Sequence, residues 1–149
     1  MRIIETTIAD KIAHCATLLD AHWNESARNK HLMVLKPDLA RYQALEASGA
    51  LLGLVAYMDD EIVGYSVNIV TPHLHYADLV CCMNDVLFIA KEHRQSPLGL
   101  KLIRDTERAA KARGVHLMLW HAKEDTALSQ ILPKLGCKVQ EITFSKELT

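Results

Sequence analysis

The chain has 149 residues, a length that suits one folding unit spanning residues 1–149 and lets roughly 70% of the unfolded-chain surface be buried. Half of the residues are hydrophobic and 23% are charged, which excludes disorder, while 17 Lys and Arg against 18 Asp and Glu give a formal net charge of -1 and exclude nucleic-acid recognition by bulk charge. No apolar run approaches the roughly 18 residues of a membrane span, and Met1-Arg2-Ile3-Ile4-Glu5 lacks the apolar stretch of a signal peptide, so the expectation is a soluble, cytoplasmic protein without a membrane partner.

Residues 2–7 form a short β-prone run. Thr7-Ile8-Ala9-Asp10 then has the form of a capping box and predicts a helix whose apolar stripe is Ile8, Ile12, Cys15 and Leu19. A polar stretch, His22 to Lys30, leads to Pro37-Asp38, which opens a second helix through about Ala47 that Gly49 ends. Leu51–Met58 and Ile62–Val70 are β-prone and separated only by Asp59-Asp60-Glu61, so they form an antiparallel hairpin with a solvated acidic turn. Pro72-His73-Leu74-His75-Tyr76 reads as an exposed loop. Leu79 to Ala90 is almost continuously apolar, interrupted by Asn84 and Asp85, as in a mid-sheet strand buried on both faces.

A helix from about Leu98 to Arg113 follows. Leu98, Leu102, Ile103 and Ala110 face inward, with Lys101/Asp105 and Glu107/Lys111 as i,i+4 pairs outside, and Gly114 stops it. Val115 to His121 is a further buried strand, so the segment is a right-handed crossover between parallel strands. The chain ends with a helix from Thr126 to Leu135, Gly136 as its stop, and a final strand from Cys137 to about Ser145. Pro133 removes the donor for the Ser129 carbonyl and predicts a bend. Cys15, Cys81, Cys82 and Cys137 match neither a disulfide framework nor C-x-x-C pairs; they read as reduced core residues, and no metal site is expected.

The junction from Asp85 to Leu100 carries the chemistry, because a helix N-terminus offers unpaired N–H groups and a partial positive charge suited to phosphate. Neither G-x-x-x-x-G-K-[ST] nor G-x-G-x-x-G is present. Arg94-Gln95-Ser96-Pro97-Leu98-Gly99-Leu100 resembles the R/Q-x-x-G-x-G/A signature of the GNAT superfamily of acetyl-CoA-dependent N-acetyltransferases. Gly99 takes the place of the last signature glycine, Pro97 that of the central one, and Gln95 a position that is often glycine. Lys134-Leu135-Gly136-Cys137 resembles the K-L-G-F that closes the family's last helix, and the element order matches over nearly the whole chain.

The resemblance implies an α/β (α+β) fold, a mixed central sheet flanked by helices in the order β-α-α-β-β-β-α-β-α-β. It also implies an enzyme that transfers the acetyl group of acetyl-CoA to a primary amine by direct attack in a ternary complex. The strands at about 79–90 and 115–121 are expected to splay apart. Backbone groups of Leu87, Phe88 and Ile89 would pair with pantetheine; Arg94 and the amides of Gln95, Ser96, Leu98, Gly99 and Leu100 would hold the pyrophosphate. Pro97 removes one N–H from that cradle, a loss on the order of 1 kcal/mol unless Arg94, Ser96 or Lys101 compensates.

Acetylation needs a group that takes up the amine proton, a donor for the carbonyl oxygen and an acid for the departing thiolate. Asp85, where several family members carry a catalytic Glu, is the candidate base if burial raises its pKa; the competing reading is an Asp that bonds local backbone or ends the strand. The family's general-acid tyrosine is replaced by Leu132, which leaves Ser129, one turn earlier, or His121 as donors, or a thiolate that leaves unaided. Asp125 stands where the family often carries an Asn near the cofactor but reads rather as the cap of the helix at Thr126. The family's acceptor loops correspond to His22–Lys36 and Thr71–Ala77; they do not distinguish a small-molecule from a peptide amine, and Trp23 reads as pocket wall or as core. A homodimer is common in the family. The alternative function is a catalytically weak or inactive module that binds CoA or a partner on the same fold.

Overall fold

A computed structural model describes residues 1–148. Five strands form one mixed sheet in the order β1-β2-β3-β4-β5: β1 (Arg2–Glu5), β2 (Leu51–Met58), β3 (Glu61–His73) and β4 (Tyr76–Ile89) run antiparallel to their neighbours, and β5 (Leu117–Leu119) lies parallel to β4. β2 turns into β3 at Asp59, whose φ of 51° closes the acidic hairpin. The segment Pro72–Tyr76 is shorter as a loop than its sequence suggests. β3 and β4 extend into it, His73 Nδ1 accepts from the His75 amide at 3.1 Å, and His73 stacks near Tyr76.

Strand alternation sends each side chain of β2 to one of two helical layers. Leu51 and Val55 join Ile8, Cys15, Leu18, Tyr65, Val67 and Phe88 beneath the helices before β2, whereas Leu52, Leu54 and Ala56 join Val63, Cys82, Ile89, Leu98, Leu102 and Ala110 beneath α4 (Leu98–Ala112). The four residues expected to face inward on α4 are all buried. Outside, Lys101 meets Asp105, which also holds Arg108 at 2.8 Å; Glu107 instead accepts from Trp120 Nε1 at 3.1 Å.

The first expected helix is two: α1 (Ala9–Ile12) and α2 (Ala16–Ser26). Thr7 does not cap the backbone, because its hydroxyl donates to the Asp10 carboxylate. The amides of Ile8 and Ala9 are met instead by Glu46 of α3 (Leu39–Ala47), a partner 37 or 38 residues away. Asp38 caps α3 by accepting from the Arg41 amide at 3.0 Å. α2 also runs on through residues 22–26, which the sequence places in a polar loop.

After β5, Thr126 caps α5 (Ala127–Ile131), and Pro133 tightens the next turn, Leu132–Leu135, to a 3-10 helix ended by Gly136 at φ 90°. The expected strand at Cys137–Ser145 does not form. Residues 137–148 carry no helix or strand, and Val139, Ile142, Phe144 and Leu148 are 85%, 74%, 89% and 89% exposed. β5, only Leu117–Leu119, offers them a three-residue edge, which pairs with no further strand among the described residues, and the segment is instead tied back where His31 Nε2 meets Glu147 at 3.0 Å.

Candidate active site

β4 and β5 pair only where Cys81, Cys82 and Met83 face Leu117, Met118 and Leu119. From Asn84 to Ile89, β4 keeps β3 on one edge and has no strand on the other. The parting begins at a β-bulge, since Val67 pairs with Val86 while Asn68 pairs with Asn84, leaving Asp85 as the extra residue. Asn84 fills the bulge from inside. Its amide donates to Asn68 Oδ1 at 2.9 Å and to the Val86 carbonyl at 3.0 Å, and Asn68 in turn reaches the Leu52 carbonyl and the Ser66 hydroxyl at 3.0 Å.

Backbone direction alternates along β4, and the Ala90 amide donates to Val63 of β3, so Phe88 also points its polar groups at β3 while Leu87 and Ile89 point theirs at the open edge. Of the three residues expected to pair with pantetheine, Phe88 therefore has its backbone committed to the sheet. The Ile89 carbonyl accepts from Arg94 Nε at 2.8 Å, which leaves Leu87 as the unencumbered edge.

The α4 N-terminus lies beside this edge. The Ser96 amide and hydroxyl both donate to the His93 carbonyl, and the Leu98 amide donates to the Ser96 hydroxyl at 3.3 Å. The amides of Gly99 and Leu100 have no acceptor among the described residues, and a Cβ built on Gly99 would meet only Ile89 Cδ1, at 3.6 Å. The fold itself thus leaves room at Gly99 for something else to approach two unspent donors. Pro97 is the N-cap residue and contributes no N–H. Arg94 does not point to this cradle: its guanidinium grips both Glu25 oxygens at 2.7 Å and lies over the Phe88 ring. Lys101, tied to Asp105, is likewise engaged elsewhere.

On the opposite face of the sheet a cavity of about 380 Å³ opens between the sheet, α1, α2, α3 and residues 33–37. Trp23 is part of its wall and donates to the Met33 carbonyl, with Lys30 over its ring. None of residues 71–77, expected to build the acceptor site, lines it, because the extended β3–β4 hairpin carries them to the far end of the sheet. The other expected acceptor segment, His22–Lys36, does line it through His22, Trp23, Ser26, Ala27 and residues 33–36, joined by Tyr65, which no sequence signal singles out. His22 Nδ1 lies 2.6 Å from the Tyr65 hydroxyl, and the imidazole stacks on Phe88 at 4.6 Å. Burial holds the His22 pKa below its ordinary value; Lys123 and Arg94 lower it further, while Glu25 and Asp85 oppose them. Burial likewise pushes the Tyr65 hydroxyl pKa far up. The signal for His22 was present: continued at helical spacing, the stripe Cys15, Leu19 arrives at residues 22 and 23.

The expected catalytic residues are not brought together. Asp85 is exposed at the bulge, so the burial that the base assignment requires is absent; its charge acts on His22 and Tyr42 from nearby. The Ser129 hydroxyl donates to the Thr126 carbonyl and accepts from the Thr126 amide, completing a capping box rather than facing a substrate. His121 is exposed past the end of β5 and does not line the cavity, whereas Lys123 does. Asp125, exposed at φ 58°, leaves the capping role to Thr126.

The model of the acetyltransferase (GNAT) family matches residues 16–136. No curated protein matches the sequence. Among solved structures, an aminoglycoside acetyltransferase from an uncultured soil metagenomic sample is 19% identical and superimposes with a TM-score of 0.78 over 99% of this chain and 98% of its own. Ribosomal-protein-alanine N-acetyltransferase from Brucella melitensis biovar Abortus 2308 is 15% identical, with a TM-score of 0.74 over 99% and 100%. A transcriptional regulator from Bacillus halodurans C-125 is 22% identical, with 0.75 over 99% of each chain. At these identities the structures share the fold.

Proposed function

The chain belongs to the acetyltransferase (GNAT) family, and from that premise we propose that it is an acetyl-CoA-dependent N-acetyltransferase acting on a primary amine by direct attack in a ternary complex. The observation that carries this reading is the parting of β4 from β5 next to the two unspent amides at the start of α4. Those groups fit the cofactor. The Leu87 edge would hold the amide-bearing pantetheine arm, and Gly99 and Leu100 would donate to the pyrophosphate at the positive end of α4. Acetyl-CoA, when bound, supplies an acyl group on a thioester, and the net exchange replaces the C–S bond with an amide C–N bond and leaves one amine proton to be taken up.

His22 is the group placed to take that proton. When Nδ1–H donates to the Tyr65 oxygen, Nε2 keeps its lone pair, and the lowered pKa keeps the ring neutral near pH 7. Once protonated, the ring is stabilised by Asp85 and Glu25, the two carboxylates that act on it. The Tyr65 hydroxyl lines the same cavity and is the donor available to the departing sulfur, filling the role left open by Leu132. A CoA-binding module without catalysis would need the cradle but not a base and hydroxyl paired at 2.6 Å in an adjoining cavity, and this pair favours the enzyme.

Thermal unfolding with and without acetyl-CoA tests the cradle: at a hundredfold its Kd the ligand should stabilise the protein by about 2.7 kcal/mol. Thiol release in the presence of amines then tests catalysis. No stabilisation ends the cofactor assignment; stabilisation without release from any amine leaves the binding module.

Partner surface supports a second copy. The accessible area is 10161 Å², whereas a compact monomer of this mass exposes roughly 7,600 Å². The exposed arm, residues 137–148, with Val139, Ile142 and Phe144, contributes to that excess. We infer a homodimer in which the residue 137–148 arm of one protomer covers the open β5 edge of its partner.

A further inference from the structure

Resting on the acetyltransferase reading above, we propose that the acceptor is a free apolar α-amino acid: its side chain fills the cavity behind Trp23 and Tyr65, its amine lies at His22, and its carboxylate meets Lys123.

The composition of the cavity wall carries this. Its surface is mostly aliphatic and aromatic, with Ile12, Leu19, Trp23, Val55 and Val86 among the lining residues. Its charged members are Lys11, Lys36 and Lys123, and no Asp or Glu is among the lining residues. A polyamine or a sugar carrying several ammonium groups would lose water there against like charges with no carboxylate in return. The carboxylates nearby do not change this. Glu25 is held by Arg94 through both oxygens, and Asp85 stands exposed at the bulge outside the wall. An anionic group on an apolar body has the complementary character.

Position follows from covalent geometry. In an α-amino acid the amine and carboxylate share one carbon, so an amine presented to His22 fixes the carboxylate close by. Lys123 is the lining cation with the strongest electrostatic hold on His22. Lys123 acts in the same way on a bound ammonium, favouring the neutral, nucleophilic amine, while Glu25 and Asp85 act against it. One proton then passes to His22 as the C–N bond forms and the thioester C–S bond breaks, and no other reactant is required.

The test compares L-phenylalanine, L-phenylalaninamide, phenethylamine and spermidine as acceptors. In parallel, calorimetry on the protein alone compares N-acetyl-L-phenylalanine with N-acetyl-L-phenylalaninamide. We expect phenylalanine to have the highest kcat/KM and the N-acetylated acid to bind about tenfold tighter than its amide, the order that a hydrogen bond to a charged group supplies. Lys123→Gln should raise KM for phenylalanine more than for phenethylamine, and Lys123→Arg should restore the difference. Preferred acetylation of spermidine, or equal binding of acid and amide, overturns the proposal while leaving the transferase intact. If no amine releases thiol although acetyl-CoA stabilises the protein, the transferase reading fails, and equal binding of the two acetylated compounds would then remove the ligand class as well.

Discussion

Arg94 and Glu25, 69 residues apart in sequence, meet through both terminal guanidinium nitrogens and both carboxylate oxygens at 2.7 Å, and Arg94 Nε simultaneously holds the last carbonyl of β4. The pair fastens α2, which carries His22, to the turn that precedes the cofactor cradle. Both side chains are more than a third exposed, so the pair adds at most about 1 kcal/mol to stability. Its effect is on position. Arg94→Ala and Glu25→Ala should weaken acetyl-CoA binding by similar factors, and the double variant should cost no more than either alone. Should Arg94→Ala abolish binding while Glu25→Ala leaves it unchanged, Arg94 contacts the pyrophosphate directly, as its place in the signature implies.

The acidic limb of the pH profile belongs to His22. Its folded-state pKa lies below the ordinary value of about 6.5, so the neutral base is present above that pH and kcat/KM falls as the pH drops through the lowered pKa. Stability has the same sign. The unfolded chain takes up the proton first, so this contribution is complete above about pH 6.5 and is lost as the pH falls from there through the folded value. His22→Gln should lower kcat by about 10²–10⁴-fold and remove the limb, as read by initial rates across pH. An unchanged limb in the variant would assign it elsewhere.

Gly99 separates folding from binding. The residue is helical and its Cβ position is open, so Gly99→Ala should stabilise α4 by up to about 1 kcal/mol. The added methyl also stands beside the two unspent amides. The apo protein should therefore melt higher while its shift with acetyl-CoA shrinks. A larger apo Tm with an undiminished ligand shift would place the pyrophosphate away from this turn.

Much of this was legible in the sequence because it is local. The Asp59–Glu61 hairpin, the α4 stripe from Leu98 to Ala110, and the stops at Gly49, Gly114 and Gly136, all at positive φ, depend on neighbours within a few residues. What was missed is set by distant partners. The capping of the start of α1 depends on Glu46; the role of His22 depends on Tyr65; Arg94 is diverted from the cradle by Glu25. Asp85 was read as buried from the apolar run around it, yet a bulge makes one residue of such a strand exposed without changing its composition. The β-prone tail after Gly136 has the residues of a strand but does not pair with the open β5 edge, a distant partner that its own composition does not specify.

The bulge is held by Asn84, which is 1% exposed and donates to Asn68 Oδ1 and to the Val86 carbonyl. Asn84→Leu would take one donor from the Val86 carbonyl and from Asn68 Oδ1, leaving the latter only the Ser66 hydroxyl at 3.4 Å, and should cost about 1–3 kcal/mol. Urea unfolding should show a loss within that range or above it. Because the bulge starts the parting of β4 from β5, the remaining folded protein should also show a weaker response to acetyl-CoA. A stability loss with full cofactor affinity would mean that the strands diverge without the bulge.

The residue 137–148 arm makes the last prediction. An arm without helix or strand, held to the body where Glu147 meets His31 Nε2 at 3.0 Å and bearing exposed Val139, Ile142 and Phe144, is a liability on a monomer, since those apolar side chains can pack on any open strand edge. The β5 edge of a second copy is such a site, and its use buries the excess surface at both ends at once. Light scattering should therefore give the mass of a dimer at micromolar concentration. The double variant Ile142→Glu, Phe144→Glu should give a monomer that keeps its α4 core and its response to acetyl-CoA, because neither residue belongs to the cradle or the cavity. A wild-type monomer would mean that the arm folds back on its own β5, and the two Glu substitutions would then lower Tm without changing mass.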